Sequence, residues 1–119
     1  WWAKLIPSFF IPFIARRLLK NSQEINCEIT TLSNFIKEEK IEKIDLLKID
    51  CEGLEWNVLM GITESDWHKI KSIVMEIHNI EDRLNNTINL LKKHGFKNIK
   101  SEQEVALKDT KLINLYATR

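Results

Sequence analysis

A chain of 119 residues, of which 44% are hydrophobic, can bury one small core but is too short for two ordinary domains. Its 18 basic and 17 acidic residues give a formal net charge of +1, which argues against nucleic acid as the main partner. Two cysteines, Cys27 and Cys51, have neither the number nor the spacing of a disulfide framework or a zinc site, so a reduced, cytoplasmic setting is expected.

Residues 1–24 form an apolar N-terminal segment. The chain opens on Trp1 rather than on Met, which we interpret as a fragment or an excised domain. The apolar run at 5–14 precedes the basic residues Arg16 and Arg17, the reverse of a signal peptide, and it is too short for a membrane span. We expect this segment to cover a domain or to act as a docking element; contact with a membrane surface is the less favoured alternative.

Residues 25–119 alternate between strand-like and helix-like patterns, which predicts one α/β domain. The first elements are a short strand at 25–29 and a helix that Thr30 or Thr31 caps. The core face of this helix is predicted to consist of Leu32, Phe35 and Ile36.

The next predicted strand ends in charged residues. The apolar residues between 44 and 49 predict a buried, interior parallel strand, and the alternation of a strand places Lys48, Asp50 and Glu52 on one side if the extended conformation continues that far. The cluster is either an internal ion pair or a functional site, because ligands of open α/β sheets bind at the carboxyl ends of the strands. The spacing leaves both readings open.

After this strand, Gly53 permits a tight turn into a helix whose apolar face is Leu54, Val58 and Leu59. A second cap at 63–66 precedes Trp67 and Ile70. Trp56 and Trp67 are expected to belong to the core, with the lining of a pocket as the weaker alternative. Cys51 is expected to be a small core residue.

The second buried strand is predicted at 72–77, and Glu76 and His78 share one of its faces. Two adjacent parallel strands that end in acidic residues and a histidine make a candidate site. The alternative for His78 is a hydrogen-bonded structural histidine. A helix over 80–91, stopped at His94 and Gly95, precedes two strands at 96–99 and 112–117, which we expect to be antiparallel.

These residues resemble a known family. Ile44-Asp-Leu-Leu-Lys-Ile-Asp50, Glu52-Gly53, Glu55 and Val58-Leu-Met-Gly61 are similar to the signature of the FkbM family of methyltransferases, and the similarity continues in Asp66-Trp67, Ile73-Val-Met-Glu-Ile-His78, Arg83-Leu84 and Gly95-Phe96. It covers about residues 28 to 119 and is nearest to members embedded in natural-product assembly lines. Cys51 departs from the pattern, since the family usually has Val there.

The resemblance implies a fold and a cofactor. The fold is the C-terminal half of a Rossmann-like methyltransferase, a mostly parallel sheet whose last strand is antiparallel, so that 25–119 is a partial domain. The cofactor is S-adenosylmethionine. The glycine-rich turn that holds it belongs to the N-terminal half of such a fold, and none of the three glycines of this chain stands in a Gly-x-Gly context. The cofactor-binding residues are therefore not identified, and the missing N-terminal half is an expected partner.

The retained part is expected to serve a small-molecule acceptor. Methylation of a hydroxyl needs a base or a charge that stabilises the alkoxide. His78 is the candidate base, and Asp50 or Glu76 could orient it or the substrate. Lys48 is expected to neutralise a carboxylate, so that Lys48→Met would destabilise the fold more than it changes the chemistry.

Two alternatives stay open. Asp50 and Glu76, with Asn79 or Glu52, could hold a divalent cation such as Mg²⁺ that lowers the pKa of the acceptor hydroxyl. In the other alternative, the chain is a non-catalytic interaction module or a relic that docks through its apolar N-terminal segment and exposed sheet edge.

Overall fold

A computed structural model describes residues 16–17, 23–105, 108 and 110–119 of the protein. The predicted apolar segment 1–24 lies almost wholly outside the described residues. The helices are α1 (Leu32–Glu38), α2 (Glu55–Met60) and α3 (Arg83–Lys93), the strands are β1 (Leu47–Ile49), β2 (Ser72–His78), β3 (Asn98–Glu102) and β4 (Leu112–Thr118), and a 3₁₀ turn spans Trp67–Lys69.

The four strands form one sheet in the order β1-β2-β4-β3. β1 and β2 are parallel, whereas β4 runs antiparallel to both of its neighbours, β2 and β3. Three strands therefore point in one direction and the last strand points in the other. This arrangement confirms the expected α/β class, a mostly parallel sheet with an antiparallel last strand.

The core lies on one face of the sheet. Along β2, buried residues alternate with partly exposed ones, so that its apolar face packs inward while Glu76 and His78 lie on the other face. Trp67 is buried and stacks on His94 with the ring centroids 4.2 Å apart, which confirms the core reading for this tryptophan. The buried apolar side chains of this core are Ile49, Leu59, Ile62, Trp67, Ile70, Ile73, Met75, Ile77, Leu91, Phe96, Leu115 and Ala117, and Trp56 packs against them.

Arg119 fastens the end of the described chain to this core. Its guanidinium donates hydrogen bonds to the carbonyl oxygens of Trp67, Ile70 and His94, at 2.6, 2.7 and 2.7 Å. It also lies over the ring of Phe96, 4.6 Å from the centroid. A single side chain thus joins the 3₁₀ turn, the end of α3 and the start of the strand pair.

The first two predicted elements have different outcomes. The helix is confirmed, because Thr31 caps α1 by accepting a hydrogen bond from the backbone amide of Asn34. Phe35 does not belong to its core face, since the side chain is 46% exposed. The strand predicted at 25–29 is wrong: the segment is irregular, and Ile25 and Ile29 are 74% and 97% exposed. An alternating pattern alone does not supply a neighbouring strand with which to pair.

The predictions for β1 also need correction. The regular strand is only three residues long, although a bridge between Ile44 and Ile70 extends the parallel pairing. Among the described residues it is an edge strand of the sheet, and Leu46 is 59% exposed. Cys51 is also exposed rather than a core residue, because it follows the strand end and lies in the loop.

Candidate functional site

The site is built by the two loops that follow β1 and β2. Because these strands are parallel neighbours, their carboxyl ends lie at the same edge of the sheet. The loop after β1 turns sharply: Glu52 has φ +47° and Gly53 has φ +97°. The loop after β2 contains Glu81 and Asp82, with φ of +53° and +63°. Left-handed backbone at three non-glycine residues costs free energy, and such residues are concentrated at functional sites.

The centre of the site is a hydrogen bond between His78 and Glu55. Nδ1 of His78 lies 3.1 Å from Oε1 of Glu55, and the same Oε1 accepts a hydrogen bond of 2.6 Å from the backbone amide of Gly53. The other ring nitrogen, Nε2, faces outward and lies 3.8 Å from Oε2 of Glu52. The Glu55 side chain is 2% exposed, that of His78 25% and that of Glu52 89%. The imidazole therefore has one buried carboxylate behind it and one exposed carboxylate in front of it.

Glu55 is an ionised carboxylate in a buried place. Burial on its own raises the pKa of Glu55, but the backbone amides of Gly53 and of Glu55 itself, together with the imidazole of His78, favour the charged form and bring the pKa below its ordinary value. Oε2 of Glu55 is buried and, among the described residues, has no hydrogen-bond partner. Within the described residues, Oε1 of this carboxylate therefore has hydrogen-bond partners and Oε2 has none.

A second contact joins the loop after β1 to the start of α3. Nη1 of Arg83, at the start of α3, donates a hydrogen bond of 2.7 Å to the carbonyl oxygen of Gly53. Next to it, Oδ1 of Asn79 accepts a hydrogen bond from the backbone amide of Leu84 and so secures the beginning of the same helix. The turn that holds Glu55 is therefore anchored to the beginning of α3, the helix that follows His78 in the chain.

Lys48 and Asp50 form a separate pair. Nζ of Lys48 lies 3.0 Å from Oδ2 of Asp50, and this hydrogen bond raises the pKa of Lys48, with a smaller contribution from the negative charge of Glu76. The predicted neutralisation of Lys48 is confirmed. The prediction that this pair is buried is wrong: the side chains of Lys48 and Asp50 are 68% and 47% exposed. They are exposed because β1 lies at the edge of the described sheet.

The predicted site residues thus fall into two groups. His78 and Glu52 come together around Glu55, whereas Lys48 pairs with Asp50 close to Glu76. Glu52 does not continue the alternation of β1, because the strand ends at Ile49 and the backbone then turns into the left-handed region. Within the described residues, no three His, Cys, Asp or Glu side chains are grouped closely enough to hold one metal ion.

An apolar groove lies beside the same loop. It has a volume of about 390 Å³, which is within the range of small-molecule sites. Leu54 and Val58 line it from the side of α2, and Thr31 and Leu32 from the side of α1. The loop between β1 and α2 therefore contributes both to the acid–histidine pair and to a groove of ligand size.

Glu55 and Arg83 were not among the site residues predicted from the sequence. Their partners lie 23 and 30 residues away in the sequence, and no periodicity connects positions on different elements. A signal was nevertheless present: Glu55 is the only acidic residue of α2 and lies in its first turn, beside a glycine turn and a strand end.

The strand order, the antiparallel last strand and the polar groups at the carboxyl ends of β1 and β2 are consistent with the C-terminal part of an α/β methyltransferase fold. Residues 7–97 match the methyltransferase FkbM domain. The chain belongs to the FkbM family of methyltransferases. No solved structure matches the chain significantly.

Three curated relatives illustrate this membership. The chain is 33% identical to 31-O-demethyl-FK506 methyltransferase FkbM of Streptomyces tacrolimicus, over 92% of this chain and 42% of that protein. It is 34% identical to AMB antimetabolite synthetase AmbE of Pseudomonas aeruginosa, over 88% of this chain and 6% of that protein. It is 29% identical to Methyltransferase 1 of Beauveria bassiana, over 87% of this chain and 42% of that protein. The chain thus spans less than half the length of each of these relatives. In the described part of the chain, no helix has the length and apolarity to cross a membrane.

Proposed function

We propose that the protein carrying this chain transfers the methyl group of S-adenosylmethionine to a hydroxyl oxygen of a small molecule, a sugar or a natural product. The observation that carries the proposal is the outward-facing Nε2 of His78 at the carboxyl edge of the sheet, with Nδ1 engaged by Glu55. The printed name of the Streptomyces relative, a 31-O-demethyl-FK506 methyltransferase, supports oxygen as the acceptor atom. The relatives carry the names of enzymes, which favours catalysis over a docking module.

His78 is the proposed general base. A hydroxyl is a weak nucleophile, and its oxygen must lose a proton as the new bond to carbon forms. When bound, S-adenosylmethionine supplies an electrophilic methyl group whose bond to sulfur breaks in the same step. The proton passes from the acceptor oxygen to Nε2 of His78, so that the products are a methyl ether, the neutral thioether of the cofactor and an imidazolium.

Glu52 is proposed to carry that proton away. Its Oε2 lies 3.8 Å from Nε2 of His78, and its side chain is 89% exposed and in contact with solvent. The left-handed backbone at Glu52 presents the side chain in front of the imidazole instead of continuing the line of β1. The carboxylate of Glu52 can therefore take the proton from Nε2 and release it to water once the product has left.

The residues present fit part of a cofactor or acceptor site. The apolar groove beside the loop has room for a planar ring, and Thr31, Asn34 and Asn57 add polar groups to its lining. We propose that 25–119 is the acceptor-side part of the domain and that most of the cofactor contacts come from the portion of the relatives' length that these 119 residues do not span. Lys48, Asp50 and Glu76 would orient the hydroxyls of the acceptor.

The base assignment is tested with His78→Gln in the chain extended upstream to a full domain. Turnover should fall by roughly 10²- to 10⁴-fold, the range expected for loss of a general base. Binding of S-adenosylmethionine should be retained, because the base contacts the acceptor. His68→Gln is the control, since His68 is exposed and lies in the 3₁₀ turn, away from both loops. Equal turnover in the two variants would rule out His78 as the base.

The proposed cytoplasmic setting is consistent with two free, exposed cysteines, Cys27 and Cys51, in the described part of the chain.

A further inference from the structure

We infer that Glu55 is the positioning residue of His78: its buried carboxylate fixes the tautomer in which Nε2 accepts a proton, and its negative charge stabilises the imidazolium that follows. This inference rests on the proposed function, since it assigns a role to Glu55 in the same reaction. It adds a residue that does not contact the acceptor and that the sequence did not single out.

The carboxylate of Glu55 is held rigidly. Glu55 is the first residue of α2 and is 2% exposed. Its Oε1 has two neighbours on different elements, the amide of Gly53 at 2.6 Å and Nδ1 of His78 at 3.1 Å. Arg83 in turn binds the carbonyl oxygen of Gly53, so the turn beneath the carboxylate is also secured. The imidazole is therefore oriented by a group that has little freedom of its own.

The contact with Glu55 determines which nitrogen of the His78 imidazole carries the proton. An ionised carboxylate accepts hydrogen bonds and cannot donate them. Nδ1 of His78 must then carry the hydrogen in the bond to Glu55, which leaves the lone pair of the neutral ring on Nε2. That is the nitrogen that faces outward, toward Glu52 and the solvent. The buried contact thus selects the tautomer that a base at this position requires.

The negative charge of Glu55 is more than the turn at Gly53 requires. Oε2 of Glu55 is buried without a hydrogen-bond partner among the described residues, an arrangement that destabilises a folded protein. Closing the turn at Gly53 needs one acceptor oxygen, which an uncharged glutamine supplies equally well. The negative charge of the carboxylate stabilises His78 once His78 is positively charged, because the two opposite charges are then in direct contact.

The competing explanation is purely structural: Glu55 would only accept the amide of Gly53 and close the turn. Two variants separate the explanations. Glu55→Gln keeps an oxygen for Gly53 and for Nδ1 of His78 but removes the charge. Glu55→Met keeps approximately the volume and removes the acceptor. Asp66→Asn is the control for loss of stability, since Asp66 contacts Thr63 and Lys69 and not the site.

The first measurement is nitrogen-15 NMR of histidine in the extended domain, at a pH where His78 is neutral. Nδ1 should carry the proton in the wild type and in Glu55→Gln, whereas Glu55→Met should shift the proton toward Nε2. The second is steady-state kinetics, in which Glu55→Gln should lower kcat by roughly 10²-fold with little change in KM, because the lost interaction forms only as the imidazolium develops. Asp66→Asn should retain kcat.

Either of two results would overturn the inference: a wild-type His78 that carries its proton on Nε2, or a Glu55→Gln variant with unchanged kcat. Failure of the proposed function looks different. In that case His78→Gln retains full turnover, or no methyl transfer is detected, while the NMR spectra still report the pairing of Glu55 with Nδ1. The pairing would then stand as a structural contact, and its positioning role would be excluded.

Discussion

His78 and Glu55 are separated by 23 residues in the sequence, yet Nδ1 of His78 lies 3.1 Å from Oε1 of Glu55. The contact exists because β1 and β2 are parallel neighbours, so that the chain returns to the same edge of the sheet after α2. It also depends on the turn at Gly53, whose amide binds the same oxygen of Glu55. The geometry of this turn is therefore the first feature to perturb.

Gly53→Ala should destabilise the fold by about 1–2 kcal/mol and lower turnover. At φ +97° a side chain strains the backbone, although nothing lies within 4 Å of the added Cβ, so the cost comes from conformation and not from a clash. Urea unfolding of the wild type and of the Ala variant measures this loss of stability. Gly53→Asn is the matched variant and should lose less, because Asn tolerates left-handed backbone better than Ala does. Equal stability of the wild type and the Ala variant would contradict the observed turn.

Lys48→Met should change stability little, contrary to the expectation from the sequence. The Lys48–Asp50 pair is largely exposed, and pairs of this kind contribute little. Turnover with a hydroxylated acceptor is the more sensitive readout, and KM should rise while kcat changes less. Asp50→Asn should change KM and kcat in the same way as Lys48→Met, since this variant removes the other charge of the pair. A large loss of stability in urea unfolding would instead support the expectation from the sequence.

Asp66 should make stability depend on acid pH. Hydrogen bonds from Ser33, Lys69 and Thr63 lower the pKa of Asp66 to about 2 from its ordinary 3.8. The folded-state pKa is depressed, so the stabilisation is present above about pH 4 and is lost as the pH falls toward 2; it amounts to at most about 2 kcal/mol. Asp66→Asn should therefore be less stable than the wild type at pH 7 and nearly equal to it near pH 2.

The control for that comparison is Asp45→Asn. Asp45 pairs with Lys43 at 2.6 Å, but both side chains are more than 60% exposed. Its removal should alter urea unfolding little at either pH. If Asp45→Asn and Asp66→Asn lose the same stability at pH 7, the hydrogen bonds of Asp66 are not the cause.

EDTA should leave methyl transfer by the extended domain unchanged. Asp50, one of the two predicted metal ligands, is already paired with Lys48 at 3.0 Å, and the base proposed here is an imidazole. Turnover is measured before and after chelation and again after addition of Mg²⁺. Loss of turnover on chelation, with recovery in Mg²⁺, would favour a metal site at Asp50 and Glu76 over the histidine base.

The sequence predicts those elements whose stabilising contacts are local or strongly periodic. β2, α3 and the final antiparallel pair follow from short apolar runs, helical spacing and the stop at Gly95, and Thr31 caps α1 as expected. The strand at 25–29 fails because pairing requires a neighbour that the pattern cannot supply.

The sequence also predicted part of the candidate site. The carboxyl ends of two parallel strands indicated where His78 and the acidic residues lie. The partition of these residues into two groups was not predictable, because it depends on the left-handed turn at Glu52 and Gly53. The roles inferred for Glu55 and Arg83 arise from contacts across 23 and 30 residues and became visible only in three dimensions.

The central claim is that these residues are the acceptor-side part of a methyltransferase that uses S-adenosylmethionine. Its most direct test is calorimetric titration of S-adenosylmethionine against the 119-residue chain and against the chain extended upstream to a full domain. We predict binding to the extended chain and little or none to the 119 residues. Absence of binding to both would contradict the claim and favour a module that does not bind the cofactor.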